Sequence, residues 1–277
     1  MRMNSSTSPR IEAMDSHIHL DMYAPEDMQR LLAKAKESGV RKLVAVSRNL
    51  QSCRATRAIF QAFPGQIVPA YGFHPEQPLP DAAEVDALIA WMLERRDEYF
   101  AIGEVGLPYY MRRDAEKMRT AETFPNAAYL ELLERFVMLA RMLERPIVLH
   151  AVYEDADAAC DLLEKHGVTR AHFHWFKGAP TTIERMIGNG YYVSVTPDVL
   201  YEPEIQAIVR QYPLDRIMTE TDGPWPFEGP FAGKQTHPAM VLDVAAAIAE
   251  LKALPYEETA SALYGNAVRF YCEASVR

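Results

Sequence analysis

The chain is poor in cysteine, with three in 277 residues: Cys53, Cys160 and Cys272 lie far apart and form no C-x-x-C pair. An odd, scattered set excludes a disulfide framework and a zinc knuckle, and fits a reducing compartment. A surplus of positive charge is also missing, since 29 Lys and Arg face 38 Asp and Glu for a net charge of −9. That excludes a broad basic face that grips duplex phosphates, although a local basic or metal-lined pocket remains open. No uninterrupted apolar stretch approaches the roughly 18 residues of a transmembrane helix. The first residues, Met1 to Arg10, are polar and Ser-rich, without the apolar core of a signal peptide. The expectation is a cytoplasmic protein with no membrane partner and a flexible polar leader over residues 1–10. With no internal repeat or composition break, residues 11–277 read as one domain.

What is present is 49% hydrophobic and 24% charged residues, the proportions of an ordinary globular chain. Short runs rich in Val, Ile and aromatics alternate with longer amphipathic stretches, the mark of repeated βα units and a parallel sheet. Eight strands are predicted, near Ile11 to His17, Lys42 to Ser47, Ile67 to Phe73, Tyr99 to Val105, Pro146 to Ala151, Arg170 to Trp175, Tyr191 to Thr196 and Arg216 to Thr221. Helical patterns between them include Pro25 to Ser38, Ala83 to Arg96, Ala127 to Leu143 and Glu154 to His166. Eight units predict an α/β fold of the (β/α)8 TIM-barrel type, with an open doubly wound sheet as the alternative. The Gly/Pro-rich stretch Gly223 to Pro238 follows the last strand, where barrels build active sites from their loops.

The predicted strand ends carry the chemistry. The first reads Asp15-Ser16-His17-Ile18-His19, and the period of two along a strand puts Asp15, His17 and His19 on one face. Two imidazoles so spaced can share a metal ion; the alternative is one hydrogen-bonded core histidine and one exposed. Glu104 lies in Ile102-Gly103-Glu104-Val105-Gly106, His150 ends the fifth strand, His172 and His174 share the sixth, and Glu220 and Asp222 end the eighth. Each alone reads more readily as a hydrogen-bonded, solvated or capping residue. Five strand ends offering His or carboxylate to one mouth read as a site.

The ordered set Asp15-x-His17-x-His19, Gly72-Phe73-His74-Pro75, Gly103-Glu104-Val105-Gly106-Leu107, Leu149-His150, His174-Trp175-Phe176-Lys177-Gly178, Glu220-Thr221-Asp222 and Tyr264-Gly265-Asn266 resembles the TatD family of metal-dependent hydrolases, which are amidohydrolase-like barrels. The resemblance implies two divalent ions, with Zn, Mg and Mn all open. It gives His17, His19 and Asp222 to one ion, His150 and His174 to the other, and Glu104 as a bridge. Two such cations can orient a phosphoryl group and acidify a water, with Asp222 as general base. His74 is expected to touch the scissile phosphate or the leaving oxygen, or else only to shape the turn before Pro75. His174 lies one pleat nearer the mouth than His172 and is the expected ligand. Glu220 and His172 lie deeper, Glu220 being placed to hydrogen-bond a ligand imidazole, and Asp15 serves likewise or structurally.

The family's usual substrate is DNA degraded from the 3′ end, so single-stranded or 3′-ended DNA is the implied partner, taken by a monomer. Tyr109, Tyr110, Trp175 and Trp225 are candidates to stack unpaired bases, and Arg112, Arg113 and Lys177 to meet phosphates; core packing and a solvated helix face are the alternatives. Pro108 stands where the family commonly has Asp, which removes a polar group from the pocket rim. Lys177 replaces a small residue, and Gln235-Thr236-His237-Pro238 replaces Arg-Asn-Glu-Pro; His237 reads as an exposed loop residue or a new pocket group. These departures keep open the hydrolysis of a small amide, lactone or ester on the same metals, and a non-catalytic metal or nucleic-acid binding module stands as the third reading.

Overall fold

The computed structural model describes residues 11–118 and 124–273. The expected leader over residues 1–10 lies outside the described residues. Eight strands, β1 (Ala13–Ile18), β2 (Val40–Ala45), β3 (Ile67–Tyr71), β4 (Ala101–Gly106), β5 (Ile147–His150), β6 (Ala171–Phe173), β7 (Tyr192–Val195) and β8 (Ile217–Thr219), pair in parallel in chain order. The backbone just after β8 meets β1 and closes the ring: Asp222 N donates to His17 O at 2.9 Å and His19 N to Gly223 O at 2.8 Å. A doubly wound sheet would reverse its strand order and keep two edges, so that alternative falls and the barrel stands.

The helices are α1 (Pro25–Glu37), α2 (Leu50–Ala62), α3 (Ala82–Leu93), α4 (Tyr109–Lys117), α5 (Asn126–Leu143), α6 (Glu154–His166), α7 (Pro180–Gly188), α8 (Pro203–Gln211), α9 (Val241–Lys252) and α10 (Tyr256–Tyr271). Local sequence sets their ends. Pro25 opens α1, Asp81 and Glu84 form a reciprocal capping box at α3, and Gly167 ends α6 in the left-handed conformation. No helix among the described residues is long and apolar enough to cross a membrane.

Two layers of core follow from the strand alternation. Outward-facing residues pack on the helices, as Ile102, Leu149 and Phe173 do with Phe136 and Leu163. Inward-facing ones, including Met14, Val44, Val68, Ala101, Val148 and Met218, fill the barrel and meet Ala267, Phe270 and Tyr271 of α10. All but Val44 and the central Met218 come from the early halves of their strands, so α10 plugs the N-terminal end, and the polar residues of the later halves are left to the opposite mouth.

Candidate metal centre

Glu104 is fully buried at the centre of that mouth. The chain around it must come very close to its neighbours: a Cβ on Gly106 would stand 1.9 Å from the His150 carbonyl oxygen, and one on Gly72 would stand 2.7 Å from the Glu104 oxygen. Gly106 at the end of β4 and Gly72 just after β3 therefore let β4 slot between β3 and β5, with the Glu104 side chain aimed inward.

Each carboxylate oxygen of Glu104 faces its own group of imidazoles. Oε2 lies 3.1 Å from His17 Nε2 and 3.2 Å from His19 Nε2, and these two nitrogens are 3.3 and 3.5 Å from Asp222 Oδ1. Oε1 lies 2.7 Å from His174 Nε2, 3.1 Å from His150 Nδ1 and 3.3 Å from His74 Nε2. A cation about 2.1 Å from tetrahedral donors holds them about 3.4 Å apart, which matches the first group, while the second is drawn tighter, with His174 Nε2 at a direct hydrogen-bond distance of 2.7 Å from Glu104. His17 Nε2, Glu104 Oε2 and Asp222 Oδ1 are moreover buried without hydrogen-bond partners, a costly arrangement that a shared cation relieves. The donors present thus fit metal binding, in two groups joined by Glu104.

Charge follows the same logic. Burial works against the ionised Glu104, yet His74, His174 and His17 hold it well below the usual carboxylate range. Burial and the neighbouring His174 hold His17 well down, keeping it neutral with a lone pair to give. Burial pushes Asp222 up to about 7, against the pull of His174 and His19.

His74 is distinguished from the other four by its tautomer. Its Nδ1 accepts the Glu76 amide at 3.0 Å, and burial lowers its pKa to about 3, so the ring is neutral with the hydrogen on Nε2. Such a nitrogen donates a hydrogen bond and has no lone pair for a metal, which separates His74 from the ligand groups.

Deeper residues hold the donors in place. Glu220 accepts the Ser194 hydroxyl at 2.5 Å and the Trp175 amide at 2.6 Å, and at 3.8 Å from His174 Nδ1 it braces the backbone after that ring instead of making the expected hydrogen bond to it. His172 sits below, bonded through Nε2 to Ser194 at 2.6 Å and through Nδ1 to the Tyr271 hydroxyl at 2.5 Å. Because Ser194 gives its proton to Glu220, it accepts from His172, and Tyr271 donates to His172 in turn. The chain Tyr271–His172–Ser194–Glu220 runs from α10 to the backbone behind His174. The hydrogen bonds of Asp15 go to backbone and hydroxyl groups and not to an imidazole: it accepts from Thr221 N at 3.0 Å, the Thr221 hydroxyl at 2.5 Å and His17 N at 3.3 Å, tying β1 to the segment that presents Asp222.

Two residues at the mouth escaped the sequence reading, Glu76 and Arg48. Pro108 leaves α4 without a side-chain cap, and Glu76 caps it instead, accepting Tyr110 N at 2.7 Å and Met111 N at 2.8 Å; it also lies 3.4 Å from His150 Nε2. The rim keeps a carboxylate after all, supplied by another loop. The signal was there in part, since His74-Pro75-Glu76 brings an acid beside a pocket motif. Arg48 follows β2 and had no motif to mark it.

Above the imidazoles opens a cavity of about 810 Å³, with Trp175, Lys177, Trp225, Tyr110 and Arg48 in its walls. Trp175 is fixed by its backbone bond to Glu220 and by its indole donating to Asp198 at 2.6 Å; Trp225 leans edge-on against it and is 58% exposed. Tyr109, Arg112 and Arg113 are not brought into this cavity. Tyr109 packs on Tyr153, Arg112 is bound by Asp155 at 2.6 Å and Glu154 at 3.0 Å, and Arg113 pairs with Glu116 on the helix surface. His237 is half-buried rather than exposed, and its Nδ1 accepts the Ala239 amide at 3.0 Å as a local cap outside the cavity.

Comparison with known proteins agrees with the site. The family model described as TatD related DNase matches residues 14–272. An uncharacterized metal-dependent hydrolase of Haemophilus influenzae is 38% identical over 257 residues, covering 93% of this chain and 98% of its own length. The human deoxyribonuclease TATDN3 is 28% identical, covering 93% of this chain and 94% of its own. The crystal structure of YJJV, a TatD homolog from Escherichia coli, superposes with a TM-score of 0.82 at 24% identity, over 95% of this chain and 99% of that one. With a match that spans every strand of the barrel and both donor groups at its mouth, the chain belongs to the TatD-related DNase family of metal-dependent hydrolases.

Proposed function

We propose that the protein hydrolyses phosphodiester bonds near the 3′ ends of DNA strands, as a 3′-to-5′ deoxyribonuclease working with two divalent ions, each Zn, Mg or Mn. The observation that carries this reading is the division of donors about Glu104, one group on each carboxylate oxygen. His17, His19 and Asp222 would hold one ion, His150 and His174 the other, and Glu104 both. When bound, the ions supply positive charge to the phosphoryl oxygens and make a water more acidic.

The protein's own groups do the rest. A water oxygen bonds to phosphorus, the bond from phosphorus to the leaving oxygen breaks, and the water's proton passes to Asp222 and on to the leaving oxygen. His74, neutral and protonated on Nε2, donates to a phosphoryl oxygen as it gains charge, for which its bond to the Glu76 amide fixes the ring. Trp175, held rigid, and Trp225 give flat faces on which bases stack, typically about 1–3 kcal/mol each. The net charge of −9 is compatible with a small grip on a strand end, because two divalent ions bring about four positive charges to the mouth.

A labelled single strand incubated with metal-replete protein tests this. Stepwise release of nucleotides from the 3′ end is expected, lost in Asp222→Asn by at least about 100-fold. Turnover of small esters or amides without action on DNA would replace the nuclease reading with the small-molecule one, and metal or DNA binding with no turnover of any substrate would leave a binding module.

A further inference from the structure

Most of the arginines near this barrel's surface are committed. Arg57 is bound to Glu98, Arg112 to Asp155 and Glu154, and Arg185 to Glu164 and Asp161. Arg48 and Lys177, both in the wall of the cavity, are not. Arg48 approaches a carboxylate only at 4.0 Å, that of Asp21, which already accepts the Ser52 hydroxyl at 2.7 Å; the Arg48 Nε is buried without a partner. Lys177 has no carboxylate within 4.0 Å among the described residues, and its ammonium rests 5.2 Å above the Trp175 ring. The nearby Asp198 is occupied by the Trp175 indole and the Thr196 hydroxyl. Of the two acids in the wall itself, Asp222 faces His17 and His19, and Glu76 is turned to the amides of α4 and to His150.

Position makes the pair informative. Arg48 follows β2 and Lys177 follows β6, and in an eight-stranded barrel in chain order these are four strands apart, on opposite sides of the mouth. The donor groups around Glu104 lie between them. A substrate with one negative group, centred on the metals, would leave both cations unanswered.

We propose that Arg48 and Lys177 form two anion subsites flanking the metal centre, so that the substrate is a phosphodiester with a further phosphate on each side of the scissile phosphorus. This rests on the phosphodiesterase reading above and narrows it. A strand ending in a free 3′-hydroxyl offers a neighbouring phosphate on one side of its last linkage only. A strand ending in a 3′-phosphate offers one on both, and is the better substrate.

Dithymidylates with no terminal phosphate, a 5′-phosphate, a 3′-phosphate or both isolate the two subsites around one scissile bond. In the metal-replete wild type each terminal phosphate should raise kcat/KM about 10-fold, chiefly through KM, the size of one good charge-assisted contact. Arg48→Ala should bring the increment from one terminal phosphate down to about 1-fold, and Lys177→Ala the increment from the other. The proposal is overturned if terminal phosphates leave the wild type unaffected, if both variants erase the same increment, or if either lowers all four substrates in equal proportion. Should the wild type cleave none of the four, the phosphodiesterase reading fails instead. The increments are then read as dissociation constants by calorimetry on the metal-loaded wild type, and equal affinity for all four overturns the subsites as well.

Discussion

Glu76 accepts from two helix amides and lies 3.4 Å from an imidazole nitrogen, and so links the placement of α4 to that of His150. If Nδ1 of His150 faces the cation beside Glu104, its Nε2–H must be held by an acceptor, and Glu76 is the one in reach. Glu76→Ala should therefore cost about 1–2 kcal/mol in urea unfolding from the lost cap. It should also weaken metal binding about 10-fold or more in calorimetric titration. Glu76→Gln, which keeps an acceptor for the amides, should restore most of the stability and less of the affinity; equal recovery of both would deny the link to His150. His237 provides a separate, pH-dependent test. Burial, assisted by Lys34, lowers its pKa to about 4, below the ordinary 6.5, so the folded state binds the proton less readily than the unfolded one. Its contribution is fully present above pH 6.5 and is lost as pH falls toward 4. After allowance for partial exposure this amounts to about 1 kcal/mol. Wild type should lose that much more stability than His237→Gln between pH 7.5 and pH 4.5 in paired denaturation curves.

At the scale of elements, the seam between β8 and β1 has the least regular pairing and the most consequence, since it carries His17, His19 and Asp222 together. Asp15 closes it with two hydrogen bonds from Thr221 and steadies its own strand with a third from His17 N, and Asp222 beyond it sits at a positive φ of 47°, a conformation uncommon outside glycine. Asp15→Ala should cost about 2–4 kcal/mol, measured by urea unfolding, because it leaves buried donors of Thr221 and His17 unsatisfied. Loss of hydrolysis under conditions where the variant remains folded is the matching functional outcome. Asp15 also marks the boundary of what the sequence discloses. Alternating apolar runs and capping signals locate all eight strands, and Glu154 to His166 as α6, because each depends on residues close in the chain. Period-two spacing likewise puts His17 and His19 on one face. What Asp15 bonds to lies 206 positions away, and Glu76 reaches Tyr110 across 34. Arg112 could not be seen to be captured by Asp155 until α4 was laid beside α6. Contacts of that reach depend on how closed barrels and loops pack, which periodicity does not encode.

At the scale of the whole molecule, the acidic balance and the metal centre are parts of one problem. Glu104 and Asp222 are buried together at the mouth of a chain whose net charge is already −9, and five imidazoles compensate them only while some carry protons. Burial opposes charge on His174, yet Glu104 overrides it and lifts that ring well above its ordinary pKa, so a proton stands where a cation would balance the charge better. Metal binding to this folded arrangement and not to the unfolded chain must stabilise the protein, by about 2.7 kcal/mol for each site held at 100 times its dissociation constant. For a chain of this size each kcal/mol moves the midpoint by roughly 2 °C. Protein stripped with a chelator and freed of it should accordingly melt about 5–10 °C below the metal-replete form by calorimetry. Adding Zn, Mn and Mg singly should restore the midpoint to different degrees and so rank the ions the site prefers. The same stripping applied to Glu104→Ala should move the midpoint far less, because the carboxylate that joins both donor groups is gone. If stripped and replete wild type melted together, the spacing of the donors about Glu104 would have to be attributed to protonated hydrogen bonds alone, and the hydrolytic reading would lose its structural support.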